Sequence, residues 1–266
     1  MPTQGTSNEL TVLISGGAAG IGRTIAEAFL ANGATVHICD ASPDNISDFL
    51  QANPQASATE ADISDAASVD RVFEDLASAR NDLNVLVNNA GISGPTAKVE
   101  DIAIEDWDKC VAVDLNGTFY MTRRAVPMLK QQSGSSIVNI SSVAGTFGCP
   151  LRSPYVASKW AMIGLTKTWA MELGPHNIRV NAICPTSVSG ERIDGVIDRD
   201  AAERGVTAEE IRDIYERQSS MRTFVTPQDV TDMVMFLASD RARRISGQVI
   251  AVDGNTETLA NWLDKS

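Results

Sequence analysis

Short apolar runs rich in β-branched residues recur along this chain: "LTVLISG", "ATVHICD", "LNVLVNNAG", "SSIVNISS", "IRVNAICP" and "GQVIAVDG". Between them lie longer stretches whose apolar residues repeat at helical spacing. Strands separated by helical crossovers pair in parallel, with helices covering both faces of the sheet. A weaker run, "ASATEADIS", brings the expected strand count to about seven. With 266 residues, 43% of them hydrophobic, the chain can bury one sizeable core. No internal repeat, low-complexity tract or Pro/Gly-rich linker divides it, so residues 1–266 are expected to form a single domain.

The formal net charge of -12 repels polyanions, so neither nucleic acid nor an acidic membrane surface is an expected partner. Cys39, Cys110, Cys149 and Cys184 are scattered without CxxC spacing, three of them in apolar surroundings. They read as reduced, buried thiols of a cytoplasmic protein, not as a disulfide framework or a metal site. His37 and His176 lie far apart with no ligand cluster around either, and read as structural or surface residues. The opening "MPTQGTSNEL" has neither a basic start nor an apolar run, and no apolar stretch approaches the ~18 residues of a membrane span. A soluble protein that is not exported is expected.

One segment breaks the rhythm. About forty residues separate Pro185, at the end of a strand, from Pro227, near the start of a helix, far more than an ordinary connection needs. Residues 187–223 read as a lid over a site, or as a solvated surface excursion or subunit contact. Thr207 and Glu210 form a capping-box pattern with Val206 and Ile211 spaced as a hydrophobic staple, so "TAEEIRDIYERQ" is expected to be helical.

After the first strand comes "SGGAAGIG", in which Gly16, Gly20, Ile21 and Gly22 span the turn into a helix. Glycines there let backbone approach a phosphate while helix amides and dipole point at it. The spacing is GxxxGxG, and a simple tight strand-helix turn is the rival reading. The second strand ends at Asp40, about twenty residues beyond Gly20, where a carboxylate can accept from an adenosine ribose and repel a 2′-phosphate. No base follows in "DASPDN" and none occupies position 19, which favours NAD over NADP. Asp40 could instead cap the following helix.

In "SPYVASKWAM", Tyr155 and Lys159 are four residues apart and share one face of an expected helix. Alone, the pair is compatible with packing. Together with "SGGAAGIG", "NNAG" at 88–91 and "IVNISS" ending at Ser142, "YVASK" resembles the short-chain dehydrogenase/reductases in their single-domain branch. The likeness runs from about residue 10 to the "AVDG" ending at Gly254, and Ser142 precedes Tyr155 by the family's thirteen residues.

This resemblance implies a doubly wound Rossmann-type fold, a nicotinamide cofactor and an alcohol–ketone interconversion. A free phenol titrates near pH 10, and a neighbouring ammonium favours its phenolate. The family's chemistry then assigns Tyr155 the substrate proton, Lys159 the charge beside it and a contact with the nicotinamide ribose, and Ser142 a hydrogen bond to the substrate oxygen. Ser141 lacks the family spacing. The resemblance also places Asp62 and Ile63, at the end of the third strand, beside adenine, and Asn89, Ala90 and Gly91 beneath the adenine ribose. Pro185 and the backbone of Val188 are assigned to the carboxamide end. No metal is implied.

Two stretches depart from the family pattern. "PTSVSG" puts Thr186 where a glycine is usual and Gly190 where a threonine is usual. Counting from Trp107 reaches Asp114 where the family has a catalytic asparagine. A carboxylate near Lys159 would counter part of its charge and favour activity that rises toward alkaline pH.

The expected function is therefore an NAD-dependent dehydrogenase acting on a secondary alcohol, with an NADPH-dependent keto reductase or a catalytically altered NAD-binding sensor as rivals. Arg152, Arg192 and Asp194 suggest a hydroxylated or anionic small substrate, or they are solvated charges. The family commonly assembles as tetramers through helices around 104–130 and 154–173 and the C-terminal strand. Trp160 and Trp169 are compatible with that contact or with the core.

Overall fold

The computed structural model of the protein describes residues 10–260. The first nine residues, read above as lacking a leader, lie outside that range. Strands β1 (Thr11–Ser15), β2 (Thr35–Asp40), β3 (Ser57–Glu60), β4 (Val85–Asn88), β5 (Ser136–Ile140), β6 (Arg179–Pro185) and β7 (Val249–Val252) form one sheet in the order β3-β2-β1-β4-β5-β6-β7. Every neighbouring pair is parallel. The flanking helices are α1 (Gly20–Ala31), α2 (Pro43–Ala52), α3 (Ala66–Ala79), α4 (Ile104–Val111), α5 (Thr118–Leu129), α6 (Ser153–Leu173), α7 (Glu191–Arg204), α8 (Ala208–Arg217) and α9 (Pro227–Ala238). This is the doubly wound Rossmann-type architecture.

The pleat explains why the strands read as unbroken apolar runs. In β1, Val12 and Ile14 point to one face and pack with Ile25 and Phe29 of α1, Phe49 of α2 and Val230, Val234 and Leu237 of α9. Leu13 points to the other, with Val72, Phe73 and Leu76 of α3, Met121 and Leu129 of α5 and Trp169 and Leu173 of α6. Both faces are buried, so alternation with polar residues would be costly.

Local capping starts several helices. Ser42 accepts from Asn45 N at the start of α2, and Asp65 accepts from Ala67 N and Ser68 N at α3. Thr226 and Asp229 form a reciprocal capping box at α9, with Pro227 at its first position. The expected box of Thr207 and Glu210 is also present, and Val206 and Ile211 pack in one small cluster.

Three expectations are amended. β3 stops at Glu60, so Asp62 and Ile63 lie in the following turn and do not end the strand. Asp62 Oδ1 accepts from Ser64 N and Oγ, which bends the chain there. The helix expected around 104–130 is interrupted by a π-helical segment, Ala112–Gly117, one residue wider per turn. A Cβ on Gly117 would lie 2.6 Å from Ile63 Cδ1, so any other residue there would force Ile63 to shift. The 187–223 segment carries a second helix, α7, ahead of the expected one, closed at Gly205 in the left-handed region.

His37 is structural. Thr59 Oγ1 donates to Asp75 Oδ2 at 2.6 Å, so Thr59 can only accept from His37 Nε2, 3.0 Å away; Ser57 Oγ then donates to Nδ1 at 2.7 Å. Burial, partly offset by Asp75, lowers the pKa of His37 to about 4. The unfolded chain protonates this histidine near pH 6.5 and the folded one only near 4, so stability falls as pH drops through that window. At pH 5 the loss is roughly 2 kcal/mol. Urea midpoints at pH 7 and 5 are expected to differ less in His37→Gln than in the parent protein, and an equal difference refutes this assignment.

Candidate active site

In the strand order, β1 and β4 are neighbours from which the chain winds in opposite directions, and a crevice opens beyond their carboxyl ends. The glycine loop lies there. Gly16 and Gly20 have φ of +60° and +53°, and a Cβ on Gly22 would fall 2.0 Å from Gly16 O. Ala19, the residue before α1, offers no side-chain cap, so the first amides of that helix have no side chain closing them off. This is what a phosphate-binding turn requires, and it favours that reading over a mere tight turn. Ile21 packs against the cluster beneath the loop.

Asp40 ends β2 and joins the same loop. Its Oδ2 accepts from Ala18 N at 3.2 Å and its Oδ1 from Ser42 N at 3.1 Å, while Ser42 itself caps α2. Each oxygen keeps a lone pair for a ribose hydroxyl. The lysine or arginine nearest to Asp40 in sequence, Arg23, is paired with Glu27 at 2.8 Å. Asn89 closes the loop from the other side, donating from Nδ2 to Ser15 O at 3.1 Å and Gly16 O at 2.9 Å. Asn89 N and Ala90 N both donate to Ser15 Oγ. Hydrogen bonds thus tie Asp40 to Ala18 of the glycine loop and Asn89 to Gly16, and the residues present fit a dinucleotide.

Beyond β5, Ser142 Oγ accepts from Ala144 N at 3.1 Å, which leaves its own proton to donate. Ser141 Oγ instead donates to Lys159 O at 3.1 Å. Tyr155 packs beside Val143, Ala144 and Cys184, and Lys159 Nζ sits 5.5 Å from the centre of its ring. Lys159 is 3% exposed, donates to Ile140 O at 3.2 Å and faces Asp114 Oδ2 at 3.7 Å.

Asp114 is fully buried. Its Oδ1 accepts from Ile92 N at 2.7 Å, and Oδ2 has no hydrogen-bond partner. A Cβ on Gly91 would meet Asp114 Oδ1 at 3.2 Å, so this glycine lets the loop close on the carboxylate.

At the far wall, Pro185 ends β6. Val188 bridges to Val225 through the Ser189 amide and the Ser187 carbonyl, which turns its own N–H and C=O the other way. Gly190, at φ +134°, immediately precedes α7.

Burial favours the protonated thiol at all four cysteines. Burial pushes the thiol of Cys39 up to about 12 and, with the Asp114 charge, that of Cys110 up to about 11. Burial, with the Asp200 charge, raises the pKa of the Tyr215 phenol in the lid region, so Tyr215 stays neutral while donating to Asp200 Oδ2.

Two groups of residues escaped the sequence reading. Asn88 Nδ2 donates to Asn139 Oδ1 and Thr122 Oγ1, and Asn139 Nδ2 to Thr166 Oγ1, a buried polar chain fastening β4 and β5 to α5 and α6. An asparagine inside an apolar run was its signal. Arg199, on the unpredicted α7, reaches Ser93 Oγ at 2.8 Å.

The chain is similar to known proteins over most of its length. A family model described as enoyl-(acyl carrier protein) reductase matches residues 16–255. The chain is 37% identical over 247 residues to the 3-oxoacyl-(acyl-carrier-protein) reductase FabG of Thermotoga maritima, covering 91% of this chain and 95% of that one. It is 36% identical over 265 residues to the trans-4-hydroxycyclohexanecarboxylate dehydrogenase of Sinomonas cyclohexanicum, covering 96% and 95%. The solved structure of a 3-ketoacyl-(acyl-carrier-protein) reductase from Brucella melitensis complexed with NADH superposes with a TM-score of 0.82 at 29% identity, covering 92% and 97%.

Proposed function

The chain belongs to the short-chain dehydrogenase/reductase family, and on that premise we propose that it interconverts a secondary alcohol and a ketone with NAD(H), on a small polar substrate of sugar, polyol or hydroxy-acid type. The buried Lys159 held against Tyr155 carries this reading. A nicotinamide cofactor, when bound, supplies the carbon that accepts or returns hydride. Gly16, Gly20, Gly22 and the start of α1 hold its phosphates, Asp40 its adenosine ribose, and Lys159 its nicotinamide ribose. Ser142 donates to the substrate oxygen. Tyr155 takes the hydroxyl proton in oxidation and returns it in reduction, with Lys159 stabilising the phenolate form. Residues 187–223 serve as the lid of a single domain, and the protein works in a reducing cytoplasm where its thiols stay unpaired.

The similarity to a keto reductase supports a second reading, NADPH-dependent reduction. Asp40 opposes it, and Ser142, Tyr155 and Lys159 together oppose a cofactor-binding sensor without catalysis. NAD is expected to exceed NADP at least tenfold in kcat/KM, about 1.4 kcal/mol. Asp40→Ala should narrow that ratio, since it removes a ribose acceptor and a repulsive charge together. Equal use of both cofactors by the parent protein would sink the NAD assignment.

We also read the protein as a tetramer. Phe119 and Trp160 are 45% and 51% exposed on α5 and α6, beside a groove lined by Leu115, Ala161, Gly164 and Leu165. Trp169, by contrast, is core. β7 leaves one edge of the sheet without a neighbouring strand among the described residues. A monomeric mass by light scattering at micromolar concentration counts against this assembly.

A further inference from the structure

Acidic residues outnumber basic ones 34 to 22 in this chain, so an arginine has ample choice of partner. Three arginines of the lid helices take it: Arg204 pairs with Asp200, Arg212 with Asp194 and Arg217 with Asp213. Three arginines at the mouth of the site behave differently. Among the described residues, Arg152, Arg192 and Arg199 form no ion pair, and each donates to a neutral oxygen of one short loop. Arg152 Nη2 donates to Ser93 O at 2.5 Å, Arg192 Nη1 to Gly91 O at 3.0 Å and Arg199 Nη2 to Ser93 Oγ at 2.8 Å.

Arg152 is the most constrained of them. It is 7% exposed, its Nε is buried without a hydrogen-bond partner, and its guanidinium lies 5.2 Å from the centre of the Tyr155 ring. The position is fixed by the fold: Arg152 directly precedes α6, and Ala97 N donates to Leu151 O, tying this turn to the loop that accepts from Arg152. Asp200, the buried carboxylate of α7, is already taken by Arg204 and the Tyr215 hydroxyl. A guanidinium removed from water without a counter-charge is unfavourable, and an anion arriving with the substrate relieves it.

We propose that the substrate carries a carboxylate a few carbons from its reacting carbinol, and that Arg152 receives it, with Arg192 and Arg199 adding charge from the lid side. This rests on the alcohol–ketone reading above and narrows it to hydroxy acids and keto acids. The planar guanidinium fork matches two carboxylate oxygens, and its stacking over Tyr155 sets the anion within one small molecule's length of the phenol. Sugars and polyols lack the charge that the site leaves unanswered.

The test uses a series of 3-hydroxy and 4-hydroxy acids of increasing size and their matching amides. Binding is read by calorimetric titration of the protein with NADH present, a combination that cannot turn over. At least one acid is expected to bind tenfold or more tighter than its amide. Arg152→Gln should erase that difference, Arg152→Lys should restore part of it, and NADH affinity should be unchanged in both. In turnover with NAD, Arg152→Gln should raise KM for the acid tenfold or more with a smaller change in kcat. Acid and amide binding alike, neither binding, or Arg152→Gln weakening both equally each overturns the proposal. Turnover of neutral alcohols with no preference for acids refutes the carboxylate site and leaves the oxidoreductase reading standing. Arg152-dependent binding of acids with no alcohol oxidised supports the site and refutes the activity.

Discussion

Tyr155→Phe is expected to lower kcat by roughly three orders of magnitude or more while fold and NAD affinity stay intact. The ring of Tyr155 makes the contacts that hold this part of the site: it packs beside Val143, Ala144 and Cys184, with Arg152 at 5.2 Å and Lys159 at 5.5 Å from its centre. Phenylalanine keeps all of these and removes one hydroxyl. The loss therefore falls on proton transfer alone. NADH absorbance during turnover, NAD binding by fluorescence and the thermal midpoint separate the three effects. Residual activity above about a tenth of the parent value would remove Tyr155 from the proton-transfer role.

Lys159→Ala is expected to damage stability as well as turnover. The ammonium is the only charge recorded against Asp114 Oδ2 among the described residues, at 3.7 Å, and that oxygen has no hydrogen-bond donor. Removing the lysine strands a fully buried carboxylate, a loss of the order of 3–5 kcal/mol. NAD affinity falls too, because the same side chain is assigned the nicotinamide ribose. Adding Asp114→Asn to this variant should recover most of the stability and none of the turnover. Asp114→Asn alone keeps the acceptor for Ile92 N and is expected to keep turnover. Urea midpoints that do not move in Lys159→Ala would show that the pair is energetically idle.

What was legible in the sequence has a common physical origin. The seven strands could be read because both faces of a covered parallel sheet demand apolar side chains, and that demand is written into consecutive residues. The capping box at Thr207 and Glu210 could be read because cap and partner are three residues apart. Helix α7 was not read. Its composition is strongly polar, and it is sustained by Ile197 and Ala201 packing on Ile211, a contact made only once the lid folds back. The π-helical turn was equally hidden; it ends at Gly117, which packs closely on Ile63, a neighbour fifty-four residues earlier in the chain.

The same division runs through the site. The glycine loop, Asp40, Ser142, Tyr155 and Lys159 could be picked out in the sequence because together they resemble a known family, whereas the spacing of Tyr155 and Lys159 alone was equally compatible with packing. The sequence placed Asp114 by counting from Trp107. It could not say that this carboxylate is buried, bonded to Ile92 N and aimed at Lys159, forty-five residues on. Nor could it say that Arg152, Arg192 and Arg199 converge on residues 91–93, from 59 to 106 positions away. Right-handed crossovers gather such distant residues at the carboxyl ends of the strands. Burial there decides which charges are answered within the chain and which are left for a ligand, and burial is a property of the folded molecule alone.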